Sequence, residues 1–327
     1  MERGSRLKVL SLFSGIGAFE KAMDNLDIAW ELVGYSEIDN AASRVYSAVH
    51  GVPESLNLGD ITKIDETALP KDIDLITYGF PCQDISVQGS MTGLFNSDGS
   101  RTRSGLFFDA LRIIQATRPR YAIAENVKNL LSPRFEEQFA AIIDGLDAAG
   151  YNSYWRVLNA KDSGVPQNRE RVFIVSIRKG DDPGNFRFAP DLRSLERLED
   201  ILENETEVRI DGLRLSCPYT DTAVAAAYRG RYVDGGRTAQ RLEVSDREYA
   251  NALTGVKKDS MVALHGECRY FTELERFRLM GFEDSDYYKA AMVATKTQLV
   301  KQTGNSIVVP VAERVLDSLP LPLREGA

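Results

Sequence analysis

The sequence predicts an α/β fold, a Rossmann-like doubly wound sheet joined to a smaller second domain. Three observations carry this. Apolar runs of strand length alternate with stretches of helical period from Leu7 to Val175, as β-α-β units do. Gly15 and Gly17 stand where the first strand gives way to the first helix. Glu37, Cys82 and Glu125 each follow a predicted strand, the edge at which open α/β sheets bind ligands.

Residues 7–13 read as the first strand, passing through Ser14-Gly15-Ile16-Gly17 into a helix that ends near Asn25. Glycines at such a turn let a backbone approach a ligand closely. The third glycine of a G-x-G-x-x-G fingerprint is absent, since Glu20 stands there. The second strand, 31–35, ends at Ser36-Glu37, and Glu37 lies 20 residues beyond Gly17. That spacing suits an acid that takes the two ribose hydroxyls of an adenosine; a helix-cap carboxylate is the alternative. A helix over 40–49 follows, then Leu58-Gly59-Asp60, with Asp60 available to an adenine amino group. The sequence has no G-x-x-x-x-G-K-[ST] loop, so an adenosine cofactor is expected rather than a nucleoside triphosphate.

Residues 74–78 form a strand that delivers Gly79-Phe80-Pro81-Cys82-Gln83, followed by a Gly- and Ser-rich loop to Ser104. A lone cysteine is most often a small buried hydrophobe. At a strand tip, facing the same crevice as a second strand's carboxylate, it becomes a candidate nucleophile. Residues 104–114 have helical period, and the strand 121–124 ends in Glu125-Asn126-Val127. A carboxylate there is costly unless partnered, used, or capping a helix. A helix over 135–149, a strand over 154–158 and an extended run over 165–175 complete the alternation. On that run Gln167, Arg169 and Arg171 alternate, and so are expected to share one side.

Near Asn185 the alternation lapses. Residues 228–241 hold four arginines (Arg229, Arg231, Arg237 and Arg241) against Asp234, a local net charge of +3. Interleaved with glycine and tyrosine, they suit phosphate and base contacts, or a solvated hairpin. Residues 272–281 read as a capped helix, and Gly304-Asn305 as a turn returning the chain to the cofactor side. The expected division is 1–185 with 292–327 as the larger domain, and 186–291 as a smaller domain and hinge; the resemblance below implies that they are the catalytic and recognition domains.

The 327 residues carry a net charge of −8 and a pI of about 5.1, which argues against a nonspecific coat on nucleic acid. Cys82, Cys217 and Cys268 are far apart and odd in number, so reduced thiols are expected rather than a disulfide frame, and no ligand spacing suggests a metal. His50 and His265 stand alone. No apolar run reaches the ~18 residues of a membrane helix, and no signal peptide is read at the N-terminus. A cytoplasmic, nucleoid-associated protein is the expectation.

Taken in order, the motifs resemble those of the cytosine-carbon-5 DNA methyltransferases. Phe13-Ser14-Gly15-Ile16-Gly17 looks like the family's cofactor loop, Gly79-Phe80-Pro81-Cys82-Gln83 like its nucleophile motif and Glu125-Asn126-Val127 like its acid motif. Gln167-Asn168-Arg169-Glu170-Arg171 is similar to its QxRxR motif; residues 269–282 resemble the segment supporting the recognition domain, and Gly304-Asn305-Ser306 the final cofactor motif. The resemblance implies an S-adenosylmethionine-dependent methyltransferase acting on duplex DNA. It implies a catalytic group of Cys82, Glu125, Arg171 and Arg169, with Arg171 on the base's carbonyl oxygen and Arg169 ordering the loop or a phosphate. It implies cofactor contacts from Phe13, Gly15, Ile16, Gly17, Glu37, Ile38, Asp60, Ile61, Gly79, Pro81, Leu106, Asn305 and Ser306. DNA contacts are expected from Gln83, Ser86, Arg101 and Arg103, besides the four arginines above. Compared with compact members, the loop after Cys82 carries an insertion over 96–103, and Ile38 stands where some relatives have tryptophan. Gly89, Gly93 and Gly99 are expected to let the loop close.

The alternative reading is a transfer-RNA cytosine methyltransferase. Members acting on RNA typically carry Cys-Phe-Thr in the recognition region, whereas here Tyr270 precedes Phe271-Thr272 in the supporting segment. A non-catalytic DNA-binding relict is a third reading, against which Cys82, Glu125 and Arg171 stand together. A monomer is expected, with a cognate endonuclease as a possible functional but not physical partner.

Overall fold

The computed structural model describes residues 6–86, 90–190, 193–204, 214–233 and 237–321, with the main chain alone at Tyr232, Val233 and Arg237. The chain divides into two compact units. One comprises residues up to Leu158, Glu170–Pro190 and the chain from Ala312; the other comprises Asn159–Arg169 and Asp191–Val311. The return to the first unit therefore comes at 312, not at the expected 292, and 159–169 is an unforeseen excursion.

In the first unit the elements are β1 (Leu7–Leu12), α1 (Ala18–Asn25), β2 (Trp30–Ser36), α2 (Asn40–His50), β3 (Leu75–Tyr78), α3 (Phe107–Thr117), β4 (Tyr121–Val127), α4 (Glu136–Ala148) and β5 (Tyr151–Asn159). After the two-residue β6 (Gln167–Asn168) of the second unit, β7 (Glu170–Arg178) returns to the same sheet. The strand order is β2-β1-β3-β4-β7-β5. The first four are parallel, and β7 runs antiparallel to β4. All four residues of β3 are buried, the uninterrupted apolar run that a strand covered on both faces requires. The order reverses at β1, which pairs with β2 on one side and β3 on the other. That is a topological switch point, where doubly wound sheets open a ligand crevice. Beneath it the core joins Leu10, Ile76, Tyr78, Phe107, Ile114, Ala122 and Ile174. The fold class expected from sequence holds.

The second unit has a five-stranded sheet ordered β10-β9-β12-β13-β8. Its strands are β8 (Arg214–Ser216), β9 (Val224–Val233), β10 (Arg237–Val244), β12 (Met261–Leu264) and β13 (Glu267–Tyr270), while β11 (Ala250–Asn251) pairs with β6. Three helices follow, α5 (Glu273–Leu279), α6 (Asp284–Ala291) and α7 (Lys296–Asn305), and α8 (Val309–Asp317) carries the chain back into the first unit. Thr272 caps α5 through Glu275 N–H, and the Glu275 carboxylate returns to Thr272 N–H and to buried Arg269. Gly304 and Asn305 form the last turn of α7 instead of the expected turn between elements. Gly304 is required there because a Cβ would lie 2.3 Å from the Thr254 carbonyl carbon. Among the described residues no helix is long and apolar enough to cross a membrane.

Candidate active site

The C-terminal ends of the parallel strands bring the first unit's functional residues to one edge. Leu12 is in register with Ser36 and with Tyr78, Tyr78 with Ala124, and Val127 with Arg171. The segments leaving β1, β2 and β3 carry the cofactor loop, Glu37 and Cys82, while Glu125 lies near the end of β4 and Arg171 near the start of antiparallel β7.

Cys82 is half-buried, and both sides of it are anchored. Upstream, the Phe80 ring is buried against Phe107 and its carbonyl accepts from Asn126 Nδ2 at 3.0 Å. Downstream, the Ile85 carbonyl accepts from Asn129 Nδ2 at 2.6 Å. The Cys82 carbonyl itself accepts from the N–H groups of Ile85 and Ser86, at 3.0 and 2.7 Å. The thiol is thus held on a single tight turn between two fixed points.

Glu125 and Arg171 lie on adjacent strands, diagonally across the register. Arg171 Nε stands 3.0 Å from Glu125 Oε1, and the side chains are 20% and 12% exposed. Arg171 Nη1 donates to the Glu170 carbonyl, which fixes the plane of the guanidinium. A carboxylate and a forked donor are therefore held together at the sheet's edge, both largely buried.

The rest of the QxRxR run behaves differently. At Arg169 the strand breaks: Gln167 and Asn168 pair with β11, Glu170 onward with β4 and β5. Arg169 N–H goes to the Asn159 side chain. Its guanidinium, 3% exposed, donates to the carbonyls of Leu253, Gly304 and Ser306. Gln167 is wholly buried and bonds the Leu279 carbonyl and Leu253 N–H. Gln167 and Arg169 thus turn to the same residue, Leu253, while Arg171 turns to Glu125. Arg169 ties together backbone carbonyls of the second unit's loops.

At the cofactor edge, Glu37 Oε2 accepts from Gly15 N–H at 2.9 Å and Oε1 from Asp39 N–H at 2.8 Å. Burial pushes its carboxyl above the ordinary value, outweighing those donors. Asp39, not Glu37, caps α2. Asn57 fixes the strand end, its Oδ1 accepting from Glu37 and Gly59 N–H and its Nδ2 donating to the Glu37 carbonyl. Ile38 is 73% exposed, an apolar face beside the acid. Gly15 is left-handed at φ 57°, and a Cβ there would meet nothing within 4 Å. The open space, the exposed apolar residue and the acid at the strand end fit an adenosine-bearing cofactor.

Other expected cofactor residues are placed less directly. Asp60 caps a single helical turn, one oxygen taking both Thr62 N–H and its hydroxyl, which holds the carboxyl below its usual range. Ile16 and Ile61 are buried, and their carbonyls accept from His50 and Arg112. Their side chains pack in the core. Phe13, Gly79, Pro81 and Leu106 are half-buried near the strand ends. Asn305 is exposed and Ser306 buried, both in the second unit.

The loop after Cys82 is more constrained than its glycines suggest. Asp84 accepts from Ser104 N–H and Ser90 Oγ, and Gln138 accepts from Leu94 N–H at 2.6 Å. Gly93 is left-handed and packs where a Cβ would strike the Gln138 side chain at 2.0 Å. Mobility does not explain it; Gly89 lies outside the described residues. The insertion folds back on itself, with Phe95 bridged to Arg101 and the Arg101 guanidinium 5.0 Å over Phe108. Gln83 and Arg103 are exposed and Ser86 is half-buried. In the second unit Arg241 is exposed, Arg229 donates to the Asp259 carbonyl, Arg231 pairs with Glu243, and the Arg237 side chain lies outside those described.

Asn57 and Asn129 were not foreseen, and the anchoring roles of Asn126 and His50 were not read from sequence, because each has its partner distant in the chain.

A family model described as C-5 cytosine-specific DNA methylase matches residues 7–320. The type II methyltransferase M2.ScrFI of Lactococcus lactis subsp. cremoris is 31% identical over 96% of this chain and 99% of its own length. The type II methyltransferase M.SsoII of Shigella sonnei is 34% identical over 96% and 81%. Among solved structures, an Entamoeba histolytica methyltransferase, EhMeth, aligns with a TM-score of 0.69 at 16% identity, covering 96% of this chain and 98% of that one. S. pombe Dnmt2 methyltransferase aligns at 0.62 and 20% identity, covering 95% and 97%.

Proposed function

Because the chain belongs to the C-5 cytosine-specific DNA methylases, we propose that it methylates carbon 5 of a cytosine rotated out of duplex DNA, through a covalent adduct on Cys82. The observation that carries this is the Glu125–Arg171 pair at 3.0 Å, with Glu125 on β4, beside the strand that leads to Cys82, and Arg171 on β7, the next strand over.

S-adenosylmethionine, when bound by Glu37, Ile38 and the Gly15 turn, supplies an electrophilic methyl group on a sulfonium. Everting the base costs a few kcal/mol, which DNA contacts elsewhere offset. The Cys82 thiolate adds to carbon 6, and ring nitrogen 3 takes a proton from Glu125. Arg171 holds the carbonyl oxygen at carbon 2, so the ring carries the added electron density between two polar groups. Carbon 5 becomes enamine-like and nucleophilic. Once carbon 5 is methylated, nitrogen 3 returns its proton to Glu125; water then takes the carbon-5 proton as the 5,6 double bond re-forms and the Cys82 sulfur leaves as thiolate.

Duplex DNA is favoured over transfer RNA by the type II methyltransferases among the relatives and by Phe271-Thr272 serving as the start of α5. The test is transfer of labelled methyl to duplex DNA and to transfer RNA. Labelled DNA is expected, with Cys82→Ala lowering turnover by about 10⁴-fold or more. Label in RNA alone, or unimpaired turnover by Cys82→Ala, refutes the proposal.

A further inference from the structure

The second unit presents a two-stranded arm. β12 pairs with β9 only from Val224 to Ala226. Beyond that β9 has β10 as its ladder partner, in register from Ala226↔Val244 to Val233↔Arg237. A twisted antiparallel ribbon of this kind fits the major groove of B-DNA, about 12 Å wide.

Register sorts its residues by face. Residues directly opposite in an antiparallel ladder point the same way, and alternate positions share a face. Tyr228 and Leu242 lie opposite each other and pack on the sheet's apolar cluster. Arg229 and Arg241, also directly opposite, therefore occupy the other face, together with Arg231 and Glu243.

These guanidiniums are not equivalent. Arg231 is clamped by Glu243, through both Nε and Nη2, and Glu243 is held below the ordinary carboxylate range by that bond. Arg229 is aimed by a 2.6 Å bond to the Asp259 carbonyl. No described carboxylate pairs with Arg241, which is exposed. Two like charges directly across a ladder repel each other, so the pair is held ready for an electron-rich partner.

We infer that β9–β10 reads DNA as a ribbon in the major groove, with Arg241 the specificity-determining residue for a guanine near the target cytosine. The forked guanidinium matches the O6 and N7 acceptors of guanine. Arg229 flanks it from its fixed position, and Glu243 keeps Arg231 out of the base-reading position. This rests on the DNA methyltransferase reading above.

The test is methylation of a random-sequence duplex library by the full chain, with the preference at each position read by bisulfite sequencing. Arg241→Lys keeps the charge and loses the fork. It is expected to relax preference for guanine at one position by roughly 10- to 100-fold, as is Arg241→Ala, with the thermal transition unchanged. Glu243→Gln, which frees Arg231, is expected to alter preference at a neighbouring position. Methylation that falls equally at all sequences in Arg241→Lys, or that keeps the wild-type profile, overturns the ribbon reading while leaving the parent activity standing. A wild type that leaves the library unmodified overturns both.

Discussion

On the proposed reading, one proton on Glu37 couples the fold to the cofactor. Its carboxyl titrates above the ordinary 4.5 because burial disfavours the charge. A raised acid stabilises the folded chain below its unfolded value, and that contribution is lost as pH rises through the folded value. Cofactor affinity has the opposite sign, because ribose hydroxyls need an ionised acceptor. Affinity measured calorimetrically is expected to fall on acidification at a pH above 4.5. Glu37→Gln should flatten that profile and weaken binding at neutral pH by roughly 10- to 100-fold. A wild-type profile that stays flat through this range would exclude Glu37 from the ribose. The neighbouring glycines separate ligand from scaffold. Both are left-handed, but only at Gly17 would a Cβ collide, 2.0 Å from His50 Nε2. The ring cannot easily yield, being bonded to the Ile16 carbonyl and packed on Tyr46. Gly15→Ala should cost about 1 kcal/mol of stability and chiefly raise the cofactor KM, whereas Gly17→Ala should cost about 3 kcal/mol or more. Urea melts of the two variants, beside their KM values, check the contrast.

Among the elements, β4 contributes two adjacent residues to the candidate site. One residue, Glu125, meets Arg171; the next, Asn126, is 1% exposed and holds the Phe80 carbonyl. Asn126→Ala leaves that carbonyl buried without its donor, at a cost of about 1–3 kcal/mol. The turn bearing Cys82 would lose its upstream anchor, so the single-turnover rate should fall further than the cofactor affinity. A rate unchanged at equal stability would show that the anchor is dispensable. The strands themselves were legible in the sequence because β1, β3 and β4 are buried on both faces and must be continuously apolar. Cys82 and Glu125 were legible because they interrupt that pattern at strand ends. The fate of Gln167 and Arg169 was not. Both bond the Leu253 backbone, 86 and 84 residues away in sequence, which no local pattern shows. Gly304 misled for a related reason: glycine marks either a turn or a close approach, and the Thr254 backbone that decides between them is 50 residues away.

For the molecule as a whole, a net charge of −8 has to be reconciled with a polyanionic substrate. Screening confines a surface charge to about 8–10 Å at physiological salt, so binding is decided by local faces, and the β9–β10 arm is one. The same arm is the least supported part of its sheet, with β12 pairing only at its base. By contrast β1, β3 and β4 have strands on both sides and almost wholly buried residues. Local opening free energies follow such differences. Amide exchange in the free chain should therefore be slowest in β1, β3 and β4 and fast along Tyr228–Val233. Adding duplex DNA that contains the preferred site should slow the arm by at least about tenfold, and raising salt should reverse this. DNA of unrelated sequence should protect it much less, since phosphate contacts alone do not hold a ribbon in a groove. Equal protection by both DNAs would mean that the arm is a charged handle and that sequence is read elsewhere.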